Sequence, residues 1–280
     1  MTSRLQDRLR LFDGPVNLLG YPPDATPLAP GGKARTKREL ERSGPLLAER
    51  QEMLYAGGQA GDPRRILLVL QGTDTSGKDG VIKHVVGQVG PSAVRITAFK
   101  KPTPAEAAHH FLWRIRRALP PAGVIGVFNR SHYEDVLTTR VHGVLDEPAW
   151  QRRIAEINAF EAELADSGTT IIKCFLHISY AEQRQRLLDR LVDPSKLWKF
   201  NPADLAERAR WSDYQATYAA VLERTNTAAA PWYVVPGDRK WYRNWAVGRL
   251  LQETLSDLDL HYPIPDFDVA EMTARLQPPH

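Results

Sequence analysis

The sequence predicts an α/β fold, a mainly parallel sheet covered by helices on both faces. Three observations carry that prediction. Ile66-Leu67-Leu68-Val69-Leu70 is an unbroken apolar run, the pattern of a strand buried on both faces. Strand-like and helix-like segments alternate through the rest of the chain, as crossover connections between parallel strands require. Gly72-Thr73-Asp74-Thr75-Ser76-Gly77-Lys78-Asp79-Gly80 matches G-x-x-x-x-G-K and falls between the first strand and the helix after it.

Residues 1 to about 60 read as a polar N-terminal extension broken by Tyr21-Pro22-Pro23 and Pro30-Gly31-Gly32. Within it, residues 37–56 predict a helix with an apolar stripe of Leu40, Leu46, Leu47 and Leu54, closed by Gly57-Gly58. The main domain is expected over 61–260. After the glycine loop come a helix to about residue 88, a strand over 94–99, and a helix over 105–119 with Phe111, Leu112 and Ile115 inward. A third strand over 124–128 precedes a helix over 150–166 that stops at Ser167-Gly168. A fourth strand over 169–178, a basic helix over 181–191, a fifth strand over 231–235 and a helix over 238–258 complete the domain. Residues 261–280 contain four prolines and read as a surface tail.

The glycine loop carries the most specific chemistry. Gly72, Gly77 and Gly80 let backbone N–H groups of Thr75 and Ser76 turn toward an anion, and Lys78 adds a mobile charge for a transferring phosphoryl group. Asp79 stands where such loops place a magnesium-binding Ser or Thr, and Asp74 is a second unusual acid. A carboxylate beside phosphate is repulsive without an intervening cation, so both read as metal-directed, with helix capping the plainer alternative for Asp79.

A polar cluster, Asn129-Arg130-Ser131-His132-Tyr133-Glu134-Asp135, follows the third strand at the carboxyl end of the sheet, where ligands bind in open α/β folds. Arg130 is suited to a bidentate phosphate contact. Glu134 and Asp135 read as metal ligands, while Ser131 with Glu134 also fits a capping box. His132 reads as a structural hydrogen-bonder, and Tyr133 as packing or function equally. Residues 184–215 read as a helical lid, with Arg184, Arg186, Arg190, Lys196, Lys199, Arg208 and Arg210 over its length. Its aromatics, Trp198, Phe200, Trp211 and Tyr214, read as packing, with one able to stack on a nucleobase. Lys100-Lys101 and Arg239-Lys240 with Arg243 add cations at other strand ends, whereas Arg114, Arg116 and Arg117 fit a helix C-terminus.

Four segments in fixed order now resemble the polyphosphate kinase 2 family: the glycine loop, Phe128 to Asp135, Lys196-Leu197-Trp198-Lys199-Phe200-Asn201-Pro202, and Trp232-Tyr233-Val234-Val235-Pro236-Gly237-Asp238-Arg239-Lys240-Trp241-Tyr242. The resemblance covers roughly residues 54–251. It implies a three-layer α/β/α P-loop kinase-like fold with a helical lid, and phosphoryl transfer between inorganic polyphosphate and nucleotides with magnesium, or manganese in its place. By that analogy Asp74, Lys78 and Arg130 are catalytic. Gly72, Thr75, Ser76, Gly77, Asp79, Gly80 and Asn129 line the nucleotide and phosphate site. Lys100, Lys101, Arg186, Arg190, Lys196, Lys199, Arg239 and Lys240 hold polyphosphate, and Asp74, Glu134 and Asp135 hold metal. Asn129 resembles the branch that accepts both nucleoside mono- and diphosphates, and a dimer or tetramer is implied.

Composition narrows the alternatives. Lys and Arg number 37 against 33 Asp and Glu in 280 residues, a net charge of +4, which excludes a histone-like polycation and an acidic disordered tail. One cysteine excludes an intrachain disulfide framework and fits a reducing cytoplasm, and the start lacks the apolar core of a signal peptide. An ATP-dependent nucleotide or small-molecule kinase would share the loop and lid without needing cations at several strand ends. A nucleic-acid-binding protein, suggested by a pI of about 9.2, would need aromatics on an exposed sheet. No stretch approaches the roughly 18 uncharged apolar residues that a membrane helix needs, so neither nucleic acid nor membrane is an expected partner.

Overall fold

The computed structural model describes residues 3–276. Its strands are β1 (Arg65–Gln71), β2 (Val94–Ala98), β3 (Ile125–Asn129), β4 (Thr169–His177) and β5 (Trp232–Pro236). Its helices are α1 (Leu5–Leu9), α2 (Lys33–Gln59), α3 (Lys78–His84), α4 (Pro104–Ala107), α5 (Trp113–Ala118), α6 (Glu134–Val141), α7 (Glu147–Asp166), α8 (Tyr180–Val192), α9 (Ala203–Ala209), α10 (Trp211–Thr225), α11 (Lys240–Asp257) and α12 (Val269–Arg275).

All strands pair in parallel, in the order β2-β3-β1-β4-β5. The period-2 alternation of side chains divides the core in two. Ile66, Leu68 and Leu70 face α1, α2, α3 and α11, while Leu67 and Val69 face α5, α6, α7 and α10. Each fully buried aliphatic side chain contributes about 1.5–3 kcal/mol relative to exposure, so a strand apolar on both faces stabilises both halves of the core at once. Because β1 is central and flanked by β3 and β4, the loops that leave all three open at one edge of the sheet. Among the described residues no helix is long and apolar enough to cross a membrane.

Several elements differ from expectation for local reasons. The 105–119 helix is broken: α4 stops at Ala107 and α5 begins at Trp113, where His109 stacks on Trp113 with ring centroids 4.1 Å apart. β2 is an edge strand with Arg95, Ile96 and Ala98 exposed, so it is not buried on both faces. The polar extension carries core residues. Leu5, Leu9 and Leu11 are buried, the N–H groups of Leu5 and Gln6 donate to the Glu253 carboxylate, and Leu11 N–H donates to Trp232 O at 2.8 Å along β5. That contact covers the β5 edge.

One charged group sits in the middle of β4. Lys173 is fully buried and donates to Glu161 Oε2 (2.6 Å), Thr225 O (2.7 Å) and Tyr133 Oη (2.8 Å), with its ammonium over the Tyr133 and Trp232 rings. Tyr133 Oη donates to Glu161 Oε1 at 2.8 Å, and His132 Nε2 lies 3.2 Å from the same oxygen. Burial works against the Glu161 charge, but Lys173 and His132 outweigh it and keep its carboxyl below the usual range. Removing one member of a buried pair leaves the other uncompensated. Lys173→Ala is therefore expected to lose about 3–5 kcal/mol in urea unfolding, and Lys173→Met combined with Glu161→Leu to recover most of that loss. A Lys173→Ala midpoint equal to that of the parent chain contradicts the assignment.

Candidate active site

The glycine loop leaves the carboxyl end of β1 with Gly72 (φ 150°), Thr75 (φ 65°) and Gly77 (φ 101°) in left-handed or related conformations that turn the backbone inward. Lys78, the first residue of α3, curls back under the loop. Its Nζ donates to Gly72 O at 2.8 Å and reaches Thr73 O and Ser76 Oγ at 3.3 Å. Burial, reinforced by Arg130, lowers the Lys78 pKa to about 8. Asp74 accepts from Arg130 Nη2 at 2.7 Å, and Arg130 Nη1 lies 3.5 Å from Glu134. Burial opposes the Arg130 charge, but Glu134 and Asp74 more than restore it. Burial pushes the Glu134 carboxyl up. Asp79 does not cap α3; it accepts from Asn129 Nδ2 at 2.7 Å, tying the loop to the end of β3.

Two cavities meet over this loop. A channel of 660 Å³ is lined by Asp74, Thr75, Gly77, Lys78, Asp79, Asn129 and Arg130 together with Lys100, Lys101, Arg186, Arg190, Lys196, Lys199 and Lys240. A narrower cavity of 260 Å³ is lined by Gly72, Asp74, Arg130, Glu134, Thr138, His142, Glu207, Trp211, Tyr214 and Tyr218. Asp74, Arg130, Asn201 and Asp204 belong to both. Nearly the whole predicted cation set is thus brought to one channel from β2, α8, the lid and α11.

Four residues depart from their predicted roles. Arg186 is buried, and every one of its donors is engaged: Glu182, Thr75 O, Ser76 O, Gly237 O and Asp238 O. It braces the loop instead of offering N–H groups to a polyanion. Arg239 does not line the channel; it donates to Asp24 O and borders a neighbouring cavity with Lys240. Arg243 is no free anion partner either; it is buried, donates to Ser76 O at 3.1 Å, and burial beside Arg186 lowers its pKa to about 9. Asp135 is turned away from the loop. It pairs with Arg114 at 3.3 Å, an arginine whose place late in a predicted helix reads as an ordinary cationic helix end. The capping box is also absent, because Ser131 Oγ accepts from Gln71 Nε2 and Tyr133 N–H while Glu134 goes to Arg130.

The same contacts bear on where a metal could sit. Among the described residues no three His, Cys, Asp or Glu side chains gather as a ready shell, so Asp74, Glu134 and Asp135 do not form one. The Arg130 guanidinium sits against both Asp74 and Glu134. Magnesium in phosphoryl-transfer sites needs only one or two carboxylates, the remainder being phosphate oxygens and water. Asp74 and Asp79, both on the channel wall beside Lys78, fit that smaller demand.

The aromatic and polar lining of the narrow cavity has the weakest signature in the sequence. Tyr214 Oη donates to Glu207 Oε2 at 2.6 Å, and His142 Nε2 lies 3.1 Å from the same oxygen, joining α10, α9 and α6. Gln183 Nε2 reaches Asp74 O at 3.3 Å and links α8 to the loop. The sequence signal for these residues was only the aromatic spacing Trp211, Tyr214, Tyr218 on one helical face.

The lowered Lys78 pKa has two measurable consequences. The unfolded chain keeps this proton to about pH 10.5, the folded chain only to about 8, so folding becomes more favourable as pH rises through that interval. Anion binding needs the ammonium and moves the opposite way. Pyrophosphate affinity followed by calorimetry should fall as pH passes about 8, and Lys78→Met should lose roughly 100-fold in affinity or more while unfolding no earlier than the parent chain. An unchanged affinity to pH 10 would sink this reading of Lys78.

Comparisons with known proteins agree with the geometry. Residues 32–262 match the family model described as Polyphosphate kinase 2. An AMP/ADP-polyphosphate phosphotransferase from Meiothermus ruber is 46% identical over 254 residues, 91% of this chain and 94% of that one. An ADP-polyphosphate phosphotransferase from Rhodopseudomonas palustris is 42% identical across 78% of each chain. The crystal structure of Polyphosphate Kinase 2 from Arthrobacter aurescens superposes with a TM-score of 0.96 at 49% identity, over 98% of this chain and 96% of that one. With a matched core, a glycine loop in its strand–helix setting and a shared fold over nearly its full length, this chain belongs to the polyphosphate kinase 2 family.

Proposed function

We propose that this protein transfers phosphoryl groups between inorganic polyphosphate and nucleoside mono- and diphosphates, directly and with magnesium. The observation that carries the reading is the pair of cavities meeting at Asp74 and Arg130. The wide channel, with Lys100, Lys101, Arg190, Lys196, Lys199 and Lys240 on its walls, suits an extended polyanion. The narrow cavity, with Trp211, Tyr214 and Tyr218, suits a nucleoside whose phosphates point at Arg130. The names of the similar proteins support the same substrate pair, including the use of both AMP and ADP.

The chemistry asks little of the protein beyond charge. The attacking oxygen of AMP or ADP is already ionised near neutral pH, so no general base is required. The barrier is repulsion between two polyanions, and preorganised cations lower it. Lys78 and the loop N–H groups receive the donor phosphates, and Arg130 reaches the group in transfer from the boundary between the cavities. Asp74, with Asp79 beside it, would hold magnesium, which supplies further neutralisation across the phosphate oxygens. Glu134 and Asp74 fix the Arg130 guanidinium from two sides.

Two alternatives lose ground. An ATP-dependent kinase has no use for cations from four separate elements along one channel. A nucleic-acid binder would present aromatics on an open sheet face, whereas the exposed side chains of β2 are Arg95, Ile96 and Ala98. A cytoplasmic setting is part of the proposal, supported by a lone cysteine, Cys174, that is buried and free.

Incubation of AMP or ADP with polyphosphate and magnesium, and no other donor, should yield ADP and ATP; absence of product rejects the proposal. The two cavities should also separate kinetically. Arg190 lines only the channel, so Arg190→Ala should raise the polyphosphate KM about tenfold, the loss of one charge-assisted contact, with little change in nucleotide KM. Of these two spaces Trp211 lines only the narrow cavity, and Trp211→Ala should do the reverse. Equal effects on both substrates from either variant would contradict the division.

A further inference from the structure

We propose that a second cationic groove, between α2 and α11, continues the polyphosphate path beyond the catalytic channel and makes the enzyme favour long chains. The inference rests on the function proposed above. The groove has a volume of 520 Å³ and is walled by Lys33 and Lys37 from the start of α2 and by Arg239 and Lys240 from the start of α11. Lys240 also lines the catalytic channel, so one side chain stands on the wall of both spaces.

The charge balance within the groove favours an anion. Among the described residues, Lys33, Lys37 and Lys240 have no carboxylate within ion-pair distance, and Arg239 has only a distant one, Asp24 at 3.8 Å. The acids on the same walls are mostly committed elsewhere. Glu182 is held by Arg186 Nε at 2.7 Å, and Asp238 accepts the Ser179 N–H at 2.8 Å. Glu41 is the remaining acid.

Both bordering helices begin with cations in place of the acids their dipoles prefer. Neither the first turn of α2 nor that of α11 contains an acidic residue, and their N-caps, Gly32 and Arg239, have no side-chain acceptor for the free N–H groups. This local cost is offset when a polyanion lies across both. A short donor that fills only the channel never reaches Lys33 or Lys37, whereas a long one, threaded past Lys240, does. The groove therefore acts on long donors alone and leaves the reacting phosphate untouched.

The test is Lys33→Ala with Lys37→Ala in the full chain, assayed with tripolyphosphate and with long-chain polyphosphate as donors. Both side chains are exposed, and an unchanged far-ultraviolet spectrum confirms folding. The KM for long-chain polyphosphate should rise roughly two- to tenfold, with kcat, the tripolyphosphate KM and the nucleotide KM unchanged. The dependence of long-chain binding on salt should become shallower, because fewer counterions are released. Equal changes with both donors, or none with either, overturn the groove while leaving the functional proposal standing. A parent enzyme that forms no product from either donor overturns the functional proposal itself, and the groove with it.

Discussion

Two buried guanidinium groups hold the phosphate loop in the shape that receives anions. Arg186, from α8, and Arg243, from α11, both donate to the carbonyl of Ser76, and Arg186 also takes Thr75 O and the two carbonyls after β5. A loop whose N–H groups point toward a ligand must point carbonyls the other way, and those carbonyls need donors. The arginines supply them from behind. Gly77 is required for the same reason. A β-carbon there would stand 1.7 Å from Arg243 Nη1, and one at Gly80 would stand 2.5 Å from Arg243 Nη2. The glycine pattern read from the sequence is thus as much a demand of the arginine underneath as of the phosphate above.

Packing cations so densely has an electrostatic cost that the free protein carries. Burial and a neighbouring charge lower the Lys78 pKa to about 8 and that of Arg243 to about 9. Charge on these groups disfavours the empty site and favours a filled one, because an arriving polyanion compensates all of them together. The cost is confined by Asp74, Asp79 and Glu134, which bring negative charge close to Lys78 and Arg130 without contacting Lys78 directly. The small net charge of the chain reflects this arrangement. Its acids are placed among its functional cations and not only across its outer helices.

Much of the fold was legible because it depends on local pattern. The buried strand at 66–70, the glycine loop and the helix ending at Ser167-Gly168 all lie where apolar runs and glycines put them. The missed features depend on partners distant in sequence. Lys173 looks like an interruption in a β-strand until Glu161, twelve residues earlier, and Tyr133, forty residues earlier, converge on it. Arg186 and Arg190 share one helical face and both border the channel, yet Arg186 is buried with its donors spent on loop and post-β5 carbonyls, whereas Arg190 is not buried and donates to Lys199 O and Asp204. Asp135 was read as a metal ligand from its place beside Glu134. Adjacent residues in a helix point in directions about 100° apart, so only one of the two can face the loop.

Arg130 shows how the buried network and the site depend on one another. It is the only cation among the four residues common to both cavities, and its backbone adopts φ 63°, a conformation unfavourable for a side chain of this size. Its N–H donates to Leu70 O at 3.1 Å, continuing the β1 ladder past the end of β3. The three residues after it are pinned in turn. Ser131 accepts from Gln71, His132 meets Glu161, and Tyr133 is locked between Glu161 and Lys173. A left-handed residue with rigid neighbours on both sides cannot relax, so the guanidinium emerges at a fixed point between Asp74 and Glu134. The buried polar groups around Glu161 and Lys173 therefore bear on the site through one backbone angle, and the position of the single cation common to both cavities is determined well away from the cavities themselves.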